Sequence, residues 1–480
     1  MRKIAKALGI LLATPVVLFL LLAVLIYIPP VQNFVVHQVA ASLSQSMGIT
    51  VRIDKVRLAF PLDLAVHHVL ATEAGDTLLD ARSLRLNIAL RPLFSGRADV
   101  EGVELYRVKL NTKSLISDVQ LKGEAGLLTA AAHGVDWTNE KVHIDHVQLR
   151  DADFMVMLSD TAAKDTTKSQ AKWDIRVDRA TIERSRIKLS MPGDSMRIGA
   201  DLPLLTLHGG RFDTGRNHYA VRSLELRQAG LTYDLPYLRP TTGIDPNPLA
   251  VSDLTLLLDT LSYQNDQLRT RLRGLTLREK SGLSIRRLMG SVYLDSTRIS
   301  LPDLSLHTPY SRMDAQVALD FHSFSPRKGG QMQVGLDARI GRQDLLTLGQ
   351  AYVPLAYLKA LPQAPITLKA QASGNIDRLQ LKSSELLLPG IASLTVKGHV
   401  QHVTQPARSG KADLLLRTQR LSALMPLLPK SLRQTLSLPN VQTLRATATL
   451  RGDTYGVNLS LQHGGGTLTA RAQTNTASQQ

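Results

Sequence analysis

The residues of this chain whose types could do chemistry are few and scattered. His143 and His146 stand three apart, His67 and His68 are adjacent, and DAD (151–153) supplies two carboxylates. On a helix, histidines three apart share a face and can hold one metal ion. Here the flanking residues alternate apolar and polar, and strand residues three apart point to opposite faces, so the pair is expected not to converge. His67 and His68 fail on the same ground. DAD lacks the glycine and distal glutamate of a calcium loop. HGGG (463–466) imitates the oxyanion loop of lipases, but no G-x-S-x-G elbow accompanies it, and a glycine-rich hairpin turn is expected instead. With no cysteine, thiolate metal sites and cysteine nucleophiles are excluded. No P-loop or GxGxxG occurs, so neither a cofactor nor an enzymatic activity is expected. Arg286 and Arg287, the densest mid-chain cationic pair, are the candidates for contact with a lipid phosphate.

The elements that would carry such residues repeat one device. VRSLELRQAGLTYDL (221–235) follows VDRATIERSRIKLSM (177–191) and IDHVQLRDADFMVML (144–158), and VSDLTLLLDTLSY (251–263) and IDRLQLKSSELLL (376–388) come later. Each shows an apolar residue, two polar ones, alternating apolar residues, a polar break and a further alternating run. Period-two alternation from about residue 49 to 340 predicts strands with one apolar face. EAGD (73–76), MPGD (191–194), HGG (208–210), IDPNP (244–248) and SPRKGG (325–330) mark turns. DTAAKDTTKSQ (160–170) has no apolar period and is expected to be a loop. A leucine-rich horseshoe would need a steady period and a recurring Asn, and neither is present. In the last third, DLLTLGQAYVPLAYLKALP (344–362) and RLSALMPLLPKSLRQTLSLP (420–439) have helical spacing, and each precedes a β-ribbon. The polar tail 475–480 looks like an interrupted repeat, a truncation point.

Apolar residues make up 44% of the chain but aromatics only 4%, so aliphatic side chains carry the hydrophobic burden. Lys and Arg number 57 against 40 Asp and Glu, a net charge of +17 that is spread along the strands without a basic block. That distribution disfavours nucleic acid and suits an anionic membrane. LGILLATPVVLFLLLAVLIYI (8–28) is free of charge and, at about 1.5 Å per residue, spans roughly 31 Å as a helix, enough for a bilayer core. No small-residue cleavage site follows it, so an uncleaved anchor is expected. Arg2, Lys3 and Lys6 then place the N-terminus in the cytoplasm and the rest of the chain outside, in a bacterial periplasm. Pro29 and Pro30 end that helix, and residues 29–48 read as an amphipathic helix stopping at Gly48.

The expected organisation is therefore a cytoplasmic stub and anchor (1–28), an amphipathic helix (29–48), an elongated β-groove (49–340), two helix-plus-β-ribbon repeats (341–474) and the tail. The fold class is mainly β, an elongated, curled antiparallel sheet with short helices. About 25 one-faced strands must cover their apolar side or leave it as a trough. An aliphatic trough lined by Leu224, Leu226, Leu254, Leu256, Leu258, Leu304 and Leu306 would have room for acyl chains. Filling of a closed core is the alternative reading of the same residues.

Residues 29–94, PPVQNFVVHQVAASLSQSMGITVRIDKVRLAFPLDLAVHHVLATEAGDTLLDARSLRLNIALRPLF, together with SGNIDRLQL (373–381), resemble the N-terminal part of the AsmA/TamB superfamily in its Bacteroidetes form. The resemblance implies a single-pass inner-membrane protein with long periplasmic β-structure, similar to bridge-like lipid transfer proteins. The C-terminal domain through which TamB proteins meet an outer-membrane barrel has no counterpart. The function expected is conduction of phospholipid along an apolar groove toward the outer membrane, with inner membrane and phospholipid as partners and no nucleic acid. A scaffold for assembly of outer-membrane β-barrel or secreted proteins is the alternative.

Overall fold

A computed structural model describes residues 49–59, 63–88, 100–112, 119–136, 139–158, 172–191, 196–235, 248–325, 329–349, 353, 358, 361–403, 405–420, 422–423 and 440–475. The expected anchor (8–28), the expected amphipathic helix (29–48), the expected loop (160–170) and most of the expected helix 420–439 lie outside the described residues. No helix among the described residues is long and apolar enough to cross a membrane. The described chain is mainly β, as expected, and its contacts divide it into two compact units.

The first unit holds β1 (Thr50–Ala59), β2 (Asp63–Glu73), β3 (Asp76–Ile88), β4 (Val100–Asn111), β5 (Val119–Asp136), β6 (Lys141–Leu158), β7 (Asp174–Met191) and β8 (Met196–Asp213). Successive strands pair antiparallel with one exception, β6 and β7, which run parallel with Lys141 facing Asp174 and Val156 facing Leu189. An antiparallel partner was expected there. The chain leaves β6 at Leu158 and enters β7 at Asp174, a connection of the dozen or more residues that a parallel crossover requires.

The polar pairs inside the strand motif are structural. Inward residues stand three apart, with two outward residues between them, in IDKV (53–56), VHHV (66–69), ARSL (81–84), LYRV (105–108), AGLL (125–128), LRDA (149–152), IERS (182–185) and LPLL (202–205). Their registers line up, so the breaks form one transverse seam through all eight strands. His68, Arg107, Asp151 and Arg184 on that seam have φ of +45 to +54°, a conformation uncommon for non-glycine residues. Such bulges bend a strand and sharpen its twist. Inside the bend, Ala81, Val108, Ala125 and Ala152 pack as a buried cluster, and only small side chains leave room for it. At the parallel junction the buried residue is Ser185, whose hydroxyl accepts a hydrogen bond from the Ala152 amide at 3.2 Å. Outside the bend the seam is laced by charge: Asp151 accepts from Arg184 Nε at 2.7 Å and Nη2 at 3.0 Å, and His68 lies 2.8 Å from Asp54 and 3.5 Å from Asp80.

β9 (His218–Asp234) spans the division between the units, and its larger part, to Leu231, belongs to the second. The second unit continues with β10 (Leu249–Gln264), β11 (Gln267–Glu279), β12 (Ser284–Leu294), β13 (Arg298–His307), β14 (Arg312–Asp320), β15 (Met332–Ile340), β16 (Ile366–Gly374), β17 (Arg378–Leu388), β18 (Ala392–Gln401), β19 (Ser409–Thr418), β20 (Gln442–Arg451), β21 (Thr454–His463) and β22 (Gly466–Asn475). From β10 to β22 strands consecutive in sequence pair antiparallel. HGGG forms the turn between β21 and β22, with Gly464 at φ +56° and His463 paired to Gly466. Gly374 closes β16 at φ +127°, where an added Cβ would lie 1.9 Å from the Arg378 carbonyl oxygen.

Between β15 and β16 sits α1 (Arg342–Gly349), whose start is fixed by a buried carboxylate. Asp344 accepts hydrogen bonds from the hydroxyls of Thr308 and Ser311, in the turn joining β13 to β14. Ser311 in turn accepts from the Gly341 amide at 3.0 Å, so the turn and the helix entry are one hydrogen-bonded unit.

Candidate functional site

In the second unit, alternation places apolar side chains on one face and polar ones on the other, and the registers then stack them strand over strand. Leu256 faces Leu275, which faces Leu288, and then in turn come Leu306, Met313, Ala338, Leu368, Leu386, Leu394, Leu416, Leu444, Leu461 and Leu468. This is an unbroken aliphatic ladder through thirteen strands. At about 4.8 Å per strand it runs roughly 58 Å. A second row lies two residues along each strand, three across the bulge of β11, and about 6.7 Å away. It contains Leu258, Leu272, Leu304, Ala315, Leu336, Ala370, Val396, Leu414, Ala446, Leu459 and Ala470, interrupted by Gly290 and Ser384. Leucine alternates with small residues over much of this row, so the surface is grooved rather than flat.

The ladder is aliphatic but uncovered among the described residues. Of its thirteen members only Ala338 is buried, Leu468 is 66% exposed, and the others are half-buried. The first unit has a shorter counterpart, Val56, Val66, Leu84, Leu105, Leu128, Leu149, Ile182 and Leu205, each paired with the next.

Four of the seven leucines singled out by alternation fall on these two rows: Leu256 and Leu306 on the first, Leu258 and Leu304 on the second. Leu254 (5% exposed) is buried at a register shift of β10, Leu226 (6%) is buried beside the polar break of β9, and Leu224 is half-buried on β9. The polar break in VRSLELRQAGLTYDL is the same two-residue device. Gln228 has φ +52°, its amide donates to Thr255 Oγ1 at 3.3 Å, and Ala229 beside it is fully buried.

Arg286 and Arg287 occupy a bulge of β12. Leu277 faces Ile285 and Leu275 faces Leu288, so both arginines fit between two inward residues. Both are exposed, and Arg287 pairs with His307 on the row opposite to Leu288 and Leu306. That row continues to Arg312 and Arg339, so the cations sit on the back of the apolar face. There Arg312 is neutralised by Asp314 at 3.1 Å. The Asp314 carboxyl is held below the ordinary carboxylate range, first by the Ser305 hydroxyl and then by Arg312.

The histidine pair does not converge, as expected, but for a reason other than opposite faces. Asp145 and His146 are the outward residues of IDHV (144–147), so His143 and His146 share the outward face in spite of their odd spacing. His143 nonetheless meets His133 across the β5–β6 pairing, not His146. Residues ten apart in sequence gave no signal of that meeting.

No protein-family description matches the chain, and no curated protein is significantly similar to it.

Proposed function

We propose that the chain is an envelope protein, anchored in the inner membrane by residues 8–28, that conducts phospholipid along its aliphatic ladder toward the outer membrane. The observation that carries this reading is the continuity of the ladder from Leu256 to Leu468, with every member but Ala338 left incompletely buried. An acyl chain of about sixteen carbons holds on the order of 10 kcal/mol of transfer free energy, at about 0.8 kcal/mol per methylene. It does not cross an aqueous compartment unaided at useful rates. A surface offering a leucine every strand lets the chain exchange one apolar contact for the next without returning to water. Headgroups remain solvated at the open side, and no chemical step is involved. The resemblance of residues 29–94 to the AsmA/TamB superfamily points the same way.

Site-specific photocrosslinking tests the reading. A photoreactive residue at Leu386, on the ladder, should crosslink to phospholipid in membranes. One at Arg339, on the back face, should not. In the background of Leu256→Glu with Leu258→Glu the Leu386 crosslink should fall at least fivefold while circular dichroism stays that of the native sheet. Equal labelling at both positions, or no lipid at either, would reject conduction. Co-purification with an outer-membrane barrel protein and no bound lipid would favour the assembly scaffold instead. If the glutamate pair unfolds the chain, the leucines are core and not track.

A further inference from the structure

We infer that the outward face of the first unit carries a divalent transition-metal site formed by His133, His143 and Asp145, with Asp178 orienting His143. The three ligands come from two strands paired in register. His133 on β5 directly faces His143 on β6, and Asp145 follows His143 on the same outward face. Their donor atoms all lie within 4.8 Å of one another, and the two imidazole centroids are 4.2 Å apart. His133 Nδ1 is 2.5 Å from Asp145 Oδ1. Ligands of a tetrahedral zinc ion at about 2.1 Å lie about 3.4 Å apart, so small side-chain rotations close the set around an ion.

The second observation is the carboxylate behind the ring. His143 Nε2 is 3.1 Å from Asp178 Oδ1, on the adjacent parallel strand β7. Metal-bound histidines commonly donate their free N–H to such a carboxylate, which fixes the ring and raises its basicity. With Nε2 committed to Asp178, Nδ1 of His143 is left for the ion. Two imidazoles and a carboxylate select zinc, copper or nickel over calcium and magnesium, which prefer oxygen donors. Arg176 faces His143 in the register and adds one positive charge nearby, against the two negative charges of Asp145 and Asp178.

The arrangement depends on strand pairing. His143 and Asp145 stand two apart and share a face by strict alternation, and the parallel β6–β7 register is what brings Asp178 beside His143. His146 shares the face but is opposite Ala131 and Arg179, outside the cluster.

Isothermal titration of the full chain with ZnCl2, in excess MgCl2, is the test. One equivalent should bind. His133→Ala and His143→Ala should each weaken binding at least tenfold, Asp178→Asn by about tenfold to a hundredfold, and His146→Ala should leave it unchanged. Absence of saturable binding by the unaltered chain overturns the site. So does binding that survives both His133→Ala and His143→Ala, or that is lost equally in His146→Ala. Should an alanine variant lose its β-sheet circular dichroism, zinc protection of histidines in the unaltered chain from diethyl pyrocarbonate replaces it. Protection of His133 and His143 supports the site, and equal modification with and without zinc rejects it.

Discussion

His68 shows how single residues hold a seam whose backbone is unfavourable. Its φ of +52° is sustained by contacts to Asp54 and Asp80, which raise the imidazole pKa above its ordinary 6.5, chiefly through the Asp54 hydrogen bond. A raised folded pKa contributes stability that is fully present below 6.5 and is lost as pH rises through the folded value. The thermal midpoint of the chain should therefore drop as pH rises above 6.5 and through the raised value, and His68→Ala should remove that part of the drop. Differential scanning calorimetry at several pH values checks it, and identical pH profiles would refute the clamp. Asp295 has the opposite sign. The Thr297 hydroxyl, then backbone amides, hold its carboxyl at about 2, so its contribution to the turn before β13 persists above the ordinary carboxylate range and is lost only as pH falls toward that value. Ser185 is the third kind of residue-scale device, a polar side chain placed among buried alanines because the parallel junction leaves the Ala152 amide in need of an acceptor.

At the scale of elements, the apolar-x-x-apolar tetrad is the unit that recurs. In a flat strand a one-residue offset sends every later side chain to the wrong face, whereas two outward residues restore the inward phase after a bend. The tetrads were visible in the sequence as polar breaks, and the strands around them were legible from alternation. Their alignment into one seam was not, because it depends on registers set by turns far apart in the chain. The ends of elements are equally constrained. Gly374→Ala would place a methyl group 1.9 Å from the Arg378 carbonyl and force a left-handed backbone on alanine. It should destabilise the β16–β17 hairpin by about 1–3 kcal/mol, read as a lower midpoint in urea unfolding, and an unchanged midpoint would show that the hairpin end is free to rearrange.

For the whole chain, the proposed conduit has a property that a set of independent binding sites lacks. Complete blocks in series do not add, because one anywhere along the ladder stops flow. Leu288→Glu and Leu444→Glu, on strands distant in the ladder, should each abolish delivery of labelled phospholipid between membranes. The double variant should be no worse than the stronger single one. Additive losses in a lipid-transfer assay would instead describe separate sites that bind lipid without passing it on. Because both positions are half-buried on a face with nothing packed over it among the described residues, the substitutions are expected to spare folding.

The sequence by itself determined that the chain is mainly β, that its strands have one aliphatic face, and several of its turns, though HGG (208–210), read as a turn, lies inside β8. Those properties are local, since period-two alternation and turn residues act within a few residues of each other. Leu256, Leu258, Leu304 and Leu306 were accessible to that reasoning. Only the tertiary structure decided that they stand in continuous rows with Leu275, Leu368 and Leu416, that Arg286 and Arg287 turn to the opposite face, and that β6 runs parallel to β7. It alone placed His133 and Asp178 beside His143. Each of these follows from strand register, which is fixed by the sum of many cross-strand contacts and by no single stretch of residues.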